Sequence, residues 1–378
     1  MLSGPAPTDL EVSVFGPGYG ESVLIHVGAG RWLAIDSCVD SRTKQPRALD
    51  YLASLGINPA TSVDFVLASH WHDDHVRGIA RLLKACSSAS FCCAHALTTK
   101  EFVQLAALYE NDAIASARSS HELYACLVEA ADRSERSSRP LFKSASSDKV
   151  LWTTSLQNNG IPSDVRLTAL SPSDEMSRRA LQDMSDAYSA LKRGAPQDRP
   201  ISPSPNHVAT AVRLDVGGHS LLFGSDLEEQ GDNLVGWSAV LNGTLSLERR
   251  SGLFKVAHHG SASGHLEDVW THMLSAQPLC LLTPFRHGKH EIPTASDRAR
   301  ILAKTNQAFI SSSPHLATRV ATKRPKKIET LINAAAKARR QAVGPVGHIR
   351  WRSPIAHPED PGSVDLLRAP SICPLSRS

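Results

Sequence analysis

The chain has 378 residues, of which 41% are hydrophobic and 21% are charged, and a formal net charge of +4. This composition supports a substantial core and excludes wholesale disorder, a fibrous repeat and a disulfide mini-scaffold. No apolar run approaches the ~18 residues of a membrane span, and the first ten residues lack the pattern of a signal peptide. We therefore expect a cytoplasmic protein without membrane contact, and the seven scattered cysteines, which have no CxxC spacing, are expected to be reduced.

The first third of the chain predicts short strands joined by tight turns. Segments rich in Val, Ile and Leu are separated by glycine clusters that supply turn geometry. One helical pattern ends before Gly56, a suitable residue just after a helix, and the next apolar segment is typical of a strand buried on both faces. The predicted strands are Glu11–Phe15, Ser22–Val27, Arg31–Asp36 and Val63–Ala68, and the predicted helix is Arg47–Leu55.

The middle of the chain has a different character, because helical patterns alternate there with Ser- and Arg-rich linkers. We interpret residues 86–205 as a mostly helical insertion that covers the sheet. It would separate an N-terminal half of the main domain, at 1–85, from a C-terminal half at 206–318. The predicted helices are Leu97–Tyr109, His121–Ala131 and Glu175–Leu191, with strands near Val150–Thr153 and Val165–Leu170.

A strand-rich pattern returns after residue 206. Two apolar segments flank a Gly217-Gly218 hairpin turn, and further short strands alternate with helical segments. Residues 319–378 would add a basic helix, near Lys326–Arg340, and terminal strands to the same domain. Strands alternating with helices in both halves predict two β-sheets with helices outside. The predicted strands are Val208–Val216, Ser220–Gly224, Leu253–Ala257, Leu279–Thr283, Phe309–Ser311, His348–Trp351 and Val364–Arg368.

A dense histidine and aspartate motif, His70-x-His72-x-Asp74-His75, follows the predicted buried strand directly. Alternate residues of an extended segment point the same way, so His70 and His72 can converge on one point. Asp74 and His75, beyond the turn, can face a second point nearby. Imidazole and carboxylate groups suit Zn²⁺ and related ions. The spacing therefore predicts a catalytic metal site and disfavours a solvated histidine-rich loop.

This motif resembles the HxHxDH signature of the metallo-β-lactamase-fold hydrolases. Other segments resemble, in the same order, the branch that contains the soluble domain of the DNA-uptake protein ComEC. The resemblance implies an α+β fold, the four-layer αββα sandwich, with a metal site at one edge of two facing mixed sheets. The matching segments are Phe15–Ile25, Leu33–Ser37, Leu221–Asp226 (similar to "LLxGD"), Phe254–Ser261 (similar to "LKVxHHGS") and Gly288–Pro293.

The resemblance also implies a site for two divalent metal ions, with zinc expected and manganese as the alternative. His70 and His72 would bind the first ion. Asp226 would bridge the two, and Asp36 would orient the metal-binding loop without being a ligand. The second ion would be held by Asp74, His75 and one residue of the pair His258 and His259.

The third ligand of the first ion is where the sequence departs from the common pattern, which has a histidine before the "LLxGD" hairpin. The ComEC branch tends to carry asparagine there, and Asn206 aligns with it. His207 is adjacent and has the better donor atom. We take His207 as the expected ligand and Asn206 as structural support of the site.

Two bridged metals can hold a hydroxide nucleophile and stabilise the charge of an in-line displacement at phosphorus. The expected function is therefore a metal-dependent hydrolase, most specifically a phosphodiesterase or nuclease. One alternative is a small-molecule hydrolase of the same fold, acting on a lactone, a thioester or a cyclic nucleotide. Another is a non-catalytic protein in which the metal stabilises the fold and the chain binds a partner.

Further residues are candidates for contacts with the substrate. Asp74 and His290 are expected in catalytic roles, with His290 as a proton donor or phosphate ligand. Ser261 and Ser263 follow the histidine pair. Residues 319–340 contain eight basic side chains and one acidic one, which favours a nucleic acid or nucleotide substrate. Within that segment the candidate contacts are Lys323 and Arg324.

Overall fold

The computed structural model describes residues 3–17, 20–40, 43–99, 102–104, 115–137, 141–158, 161–192, 204–287, 290–312 and 347–367. In this part of the chain the strands form two large mixed sheets and one small antiparallel pair. No helix among these residues has both the length and the apolar character needed to cross a membrane.

The first sheet has the strand order β17-β16-β1-β2-β3-β4-β5-β6. Its last four strands are parallel, and the others pair in antiparallel fashion. The strands are β1 (Asp9–Phe15), β2 (Ser22–His26), β3 (Trp32–Ile35), β4 (Val63–Ala68), β5 (Ser90–Ala94), β6 (Phe142–Ala145), β16 (His348–Pro354) and β17 (Ser363–Leu367).

The second sheet has the order β15-β12-β11-β10-β9-β8-β7, with parallel pairing from β10 to β15. A separate hairpin is formed by β13 and β14. The strands are β7 (Lys149–Asn158), β8 (Ile161–Ala169), β9 (Val212–Val216), β10 (His219–Phe223), β11 (Ser251–Lys255), β12 (Leu274–Leu282), β13 (Phe285–His287), β14 (His290–Ile292) and β15 (Ala308–Ile310).

The helices lie on the outer faces of the two sheets. Helices α1, α4, α5 and α6 cover the first sheet, and α7 and α8 cover the second, as their buried apolar residues show. The helices are α1 (Arg47–Ser54), α2 (Pro59–Ser62), α3 (Asp73–Val76), α4 (Ile79–Ala85), α5 (Ala115–Arg136), α6 (Asp174–Lys192), α7 (Gly236–Leu241) and α8 (Ala295–Leu302).

The core between the sheets follows from the alternation of side chains along each strand. In β4, Phe65 and Leu67 face the second sheet, whereas Val66 and Ala68 face the helices. In β10, Leu221 and Phe223 contribute to the same central cluster from the second sheet. Apolar contacts on both faces of both sheets make four layers, so the αββα sandwich predicted from the sequence is confirmed.

The middle of the chain differs from the expected insertion. Helices α5 and α6 contain the predicted His121–Ala131 and Glu175–Leu191. Strand β7 contains the predicted Val150–Thr153, and β8 contains all of Val165–Leu170 except its last residue. However, β5 and β6 extend the first sheet and β7 and β8 extend the second, so the segment is built into the sandwich. The run Phe91–Ala94 is short, and sequence alone does not reveal that it pairs with β4. The segments Leu97–Tyr109, in large part, and Lys326–Arg340 lie outside the described residues.

Candidate metal centre

Four strand ends place the site at one edge of the sandwich. The parallel strands β3 and β4 of the first sheet end just before Asp36 and the histidine motif, and β10 and β11 of the second sheet end just before Asp226 and His259. Loops that carry chemistry on a rigid scaffold are the usual construction of an active site. Within the motif His72 is extended and α3 begins at Asp73, which produces the two expected directions of the side chains.

Asp36 fixes the shape of the loop that carries the motif. Its Oδ1 accepts a hydrogen bond from the backbone N of Ser69, and its Oδ2 accepts one from Ser69 Oγ, each at 2.7 Å. Its Oδ2 is also 2.8 Å from Nδ1 of His75. The carboxylate is buried and therefore ties both ends of the loop together. Asp36 thus holds the loop from Ser69 to His75 in place.

The first group of candidate ligands consists of His70, His72 and Asp226, whose ligand atoms all lie within 4.8 Å of one another. Nε2 of His70 is 3.1 Å from Nδ1 of His72 and 3.9 Å from Oδ2 of Asp226. Burial lowers the pKa of His70 well below its usual value. A neutral imidazole is the form that binds a metal ion.

The second group consists of Asp74, His75, Asp226 and His259, again within 4.8 Å. Nε2 of His75 lies 3.4 Å from Oδ2 of Asp226, and Nε2 of His259 lies 3.7 Å from that oxygen. Oδ2 of Asp74 is 3.6 Å from Nε2 of His259 and 3.8 Å from Nε2 of His75. Asp226 therefore belongs to both groups.

Three buried polar atoms test whether this donor set fits metal ions. Nε2 of His75, Nε2 of His259 and Oδ1 of Asp226 have no hydrogen-bond partner in the described part of the chain. The Nδ1 atoms of the two histidines face acceptors, a carboxylate oxygen of Asp36 and the carbonyl oxygen of Thr283. In the neutral form of either ring, the proton is therefore on Nδ1 and Nε2 is free to act as a metal ligand. The residues fit divalent ions.

The charges of the cluster favour a cation. Burial disfavours ionisation of Asp226, but His75 and His259 hold the pKa of Asp226 well below its usual range. Burial also disfavours protonation of His75, yet Asp226, Asp74 and Asp36 raise the pKa of His75 well above its usual value. These opposed shifts mean that the buried carboxylates attract positive charge, which a divalent ion would supply.

His258 and His207 belong to neither ligand group among the described residues. Nδ1 of His258 is 2.9 Å from Oγ of Ser263 and 3.0 Å from Oε1 of Glu228. Nε2 of His258 lies 3.3 Å from Nδ2 of the buried Asn206. His207 is one-third exposed, with Nε2 3.8 Å from Oε2 of Glu228. The structure thus brings His259, rather than His258, to the second group.

The remaining predicted site residues have different placements. Oγ of Ser261 lies 2.9 Å from Oγ of Ser263, which puts both serines in the polar cluster around His258. His290 opens β14, and its side chain lies outside what the structure describes. Lys323 and Arg324 also lie outside the described residues.

Sequence reasoning missed a second layer of charged residues around the site. Glu21 and Lys255 form a buried ion pair of 2.7 Å beside His259, and Glu228 contacts His258. One signal was present in the sequence, since Lys255 interrupts the apolar run of the predicted strand Leu253–Ala257. A charged residue within a buried strand needs a partner.

The family model of the metallo-beta-lactamase superfamily matches residues 15–102, which contain the whole histidine motif. A search of curated proteins gave no match. Solved structures similar to this chain include the metallo-beta-lactamase fold protein YhfI from Bacillus subtilis, at 15% identity over 65% of this chain and 70% of that one, with a TM-score of 0.31.

Two further similar structures are metallo-β-lactamases. One, with a HARLDQ motif, is from Cronobacter sakazakii, at 18% identity over 68% of this chain and 76% of that one, with a TM-score of 0.34. The other, MEM-A1 of subclass B3, was isolated from a soil metagenome library, at 12% identity over 66% and 76% of the two chains, with a TM-score of 0.32. Residues 15–102 are thus similar to the metallo-beta-lactamase superfamily, and the chain has the four-layer αββα fold and a His/Asp cluster that could hold metal ions.

Proposed function

We propose that the protein is a metal-dependent phosphodiesterase that acts on a nucleic acid or nucleotide. The observation that carries this proposal is the sharing of Asp226 by two ligand groups, His70/His72 on one side and Asp74/His75/His259 on the other. A pair of adjacent ions suits displacement at phosphorus, where both the attacking and the leaving oxygen carry negative charge.

His70, His72, Asp74, His75, Asp226 and His259 would hold two divalent ions, with zinc proposed and manganese as the alternative, and these ions would supply an activated water and neutralise phosphoryl charge. The protein's own residues hold this arrangement rigid. Asp36 locks the loop that carries the first histidines, and Thr283 fixes the ring of His259. Fixed charges cost no reorganisation when the reaction proceeds.

The polar cluster next to the centre gives the substrate a place to bind. His258, Ser261 and Ser263 lie on the loop that follows β11, adjacent to His259. His258 is partly exposed, with 18% of its side chain accessible. We propose that this cluster contacts the phosphate or the leaving group, with His290 as a proton donor and the basic segment containing Lys323 and Arg324 along a polynucleotide backbone.

Cleavage of labelled single- and double-stranded DNA and RNA, with added Zn²⁺ or Mn²⁺, tests the proposal. Cleavage should disappear in a His72→Ala/Asp74→Ala double variant and in the presence of a chelator. Asp73→Asn is the matched control, because Asp73 lies in the same motif but pairs with Arg77 and belongs to neither ligand group. It should cleave like the wild type.

Other outcomes of this experiment would change the proposed substrate or the proposed reaction. If the wild type binds two ions per chain but cleaves none of these polymers, the nuclease proposal is wrong. Hydrolysis of a cyclic nucleotide would retain phosphodiester chemistry with a small substrate. Hydrolysis of a lactone or thioester in its place would contradict the phosphodiesterase assignment as well.

A further inference from the structure

A buried ion pair joins the two sheets beside the metal centre. Nζ of Lys255 is 2.7 Å from Oε1 of Glu21, and only 1% and 4% of the two side chains are exposed. Glu21 lies in the turn between β1 and β2 of the first sheet, and Lys255 ends β11 of the second. Burying two charges is costly even when they are paired, and such a pair is weak evidence for a purely stabilising role.

The second oxygen of Glu21 faces a candidate metal ligand. Oε2 of Glu21 accepts a hydrogen bond from Oγ1 of Thr283 and is 3.5 Å from Nδ1 of His259. The same Nδ1 lies 3.1 Å from both the carbonyl oxygen and Oγ1 of Thr283. A carbonyl oxygen can only accept a hydrogen bond, so Nδ1 of His259 carries the ring proton. The lone pair is thereby left on Nε2, the atom that faces Asp74 and Asp226.

The backbone of Glu21 reaches a second member of the same group. Its N–H donates a hydrogen bond of 2.7 Å to the carbonyl oxygen of Asp74. One residue therefore contacts two of the four members of the second ligand group, Asp74 through its backbone and His259 through its carboxylate. Lys255 provides the positive charge that lets this carboxylate remain in a fully buried position.

We propose that Glu21, paired with Lys255, is a positioning residue that holds His259 and its partner Thr283 in place and thereby sets the affinity of the second metal ion. The inference rests on the proposed function, since it takes His259 as a metal ligand. Loss of a residue that orients a metal ligand typically weakens metal binding by about 10- to 100-fold.

Titration of the metal-free protein with Co²⁺, followed by calorimetry and by visible absorption, tests this role. Glu21→Gln should weaken one of the two Co²⁺ sites by about 10- to 100-fold and change its absorption, while the other site keeps its affinity. Glu11→Gln is the matched control, because Glu11 is also a buried glutamate, paired with Arg352 at 2.6 Å, and belongs to neither ligand group. It should leave both sites unchanged.

Two results would overturn the inference: unchanged Co²⁺ affinities and absorption in a folded Glu21→Gln variant, or equal weakening in Glu11→Gln.

If Glu21→Gln does not fold, two other variants apply the same test. Glu21→Gln/Lys255→Met removes both charges together, and Thr283→Val keeps the ion pair but removes the bridging hydroxyl; both should weaken the same site. A wild type that binds no Co²⁺ would overturn the proposed function itself, whereas two intact sites in the folded variants would overturn this inference alone.

Discussion

Oδ2 of Asp226 lies 3.4 Å from Nε2 of His75 and 3.9 Å from Nε2 of His70, so a single carboxylate serves both ligand groups. Asp226→Asn should therefore weaken both metal sites, by about tenfold or more each, because an amide gives neither the negative charge nor two equivalent donor oxygens. His259→Ala should weaken only one site. Metal content per chain after dialysis, measured by elemental analysis, distinguishes the two variants.

Asp73→Asn is the control for loss of an aspartate near the site. Asp73 forms an ion pair with Arg77 and is 35% exposed, so its removal should leave the metal content unchanged. If Asp226→Asn retained both ions at wild-type affinity, the bridging role of Asp226 would be wrong.

At a distance from the centre, His26 makes the stability of the fold depend on pH. Its Nδ1 donates to the carbonyl oxygen of Asp9 at 2.8 Å, and its Nε2 accepts from the N–H of Gly30 at 3.1 Å. Burial lowers the pKa of His26 to about 4. Because the folded pKa lies below the unfolded value, the stabilisation is complete above about pH 6.5 and is lost as the pH falls toward 4.

His26→Gln keeps a donor and an acceptor but does not titrate. We expect the wild type to lose about 2 kcal/mol more unfolding free energy than this variant between pH 7 and pH 5. Urea denaturation of both proteins at the two pH values measures the difference. An identical pH dependence of the two proteins would show that His26 does not control it.

Among the structural elements, the turn that leads into β2 packs against the loop that carries Asp74. Gly20 has a φ of +110°, and a Cβ at this position would lie 1.8 Å from the carbonyl oxygen of Asp74. Gly20→Ala should therefore displace Asp74, weaken the second metal site and destabilise the fold by about 2 kcal/mol or more.

Gly30→Ala is the matched control in the next turn of the sheet. Gly30 has a φ of +73°, and a Cβ there would meet no atom within 4 Å. It should cost about 1 kcal/mol through backbone strain alone and leave Co²⁺ binding intact. Urea denaturation and Co²⁺ titration compare the two variants, and equal metal binding in both would refute the proposed contact of Gly20 with the loop.

Among helices and strands, the sequence predicted those whose apolar residues are continuous or regularly spaced. Val63–Ala68 coincides with β4, and the predicted Arg47–Leu55 exceeds α1 by one residue. The strands β5 and β6 were missed because each is short and pairs with a neighbour distant in the sequence. Pairing energy of this kind is tertiary and leaves no local periodicity.

For the molecule as a whole, the two sheets share one central core, and the metal centre lies where strands from both sheets end. His70, His72, Asp74 and His75 are local in sequence, so their spacing alone was enough to predict a metal site. Asp226 and His259 come from the other sheet and were assigned only through a family resemblance. The pairing of Glu21 with Lys255 depends on how the two sheets pack, which no spacing in the sequence encodes.

Hydrolysis of a chromogenic phosphodiester, measured while metal-free protein is titrated with Zn²⁺, tests whether two ions are needed for phosphodiesterase activity. If the shared carboxylate of Asp226 holds two ions, the rate should stay low through the first equivalent of bound ion and rise as the second one binds. Full activity at one equivalent would contradict the two-ion centre. No hydrolysis with both sites filled would contradict the phosphodiesterase.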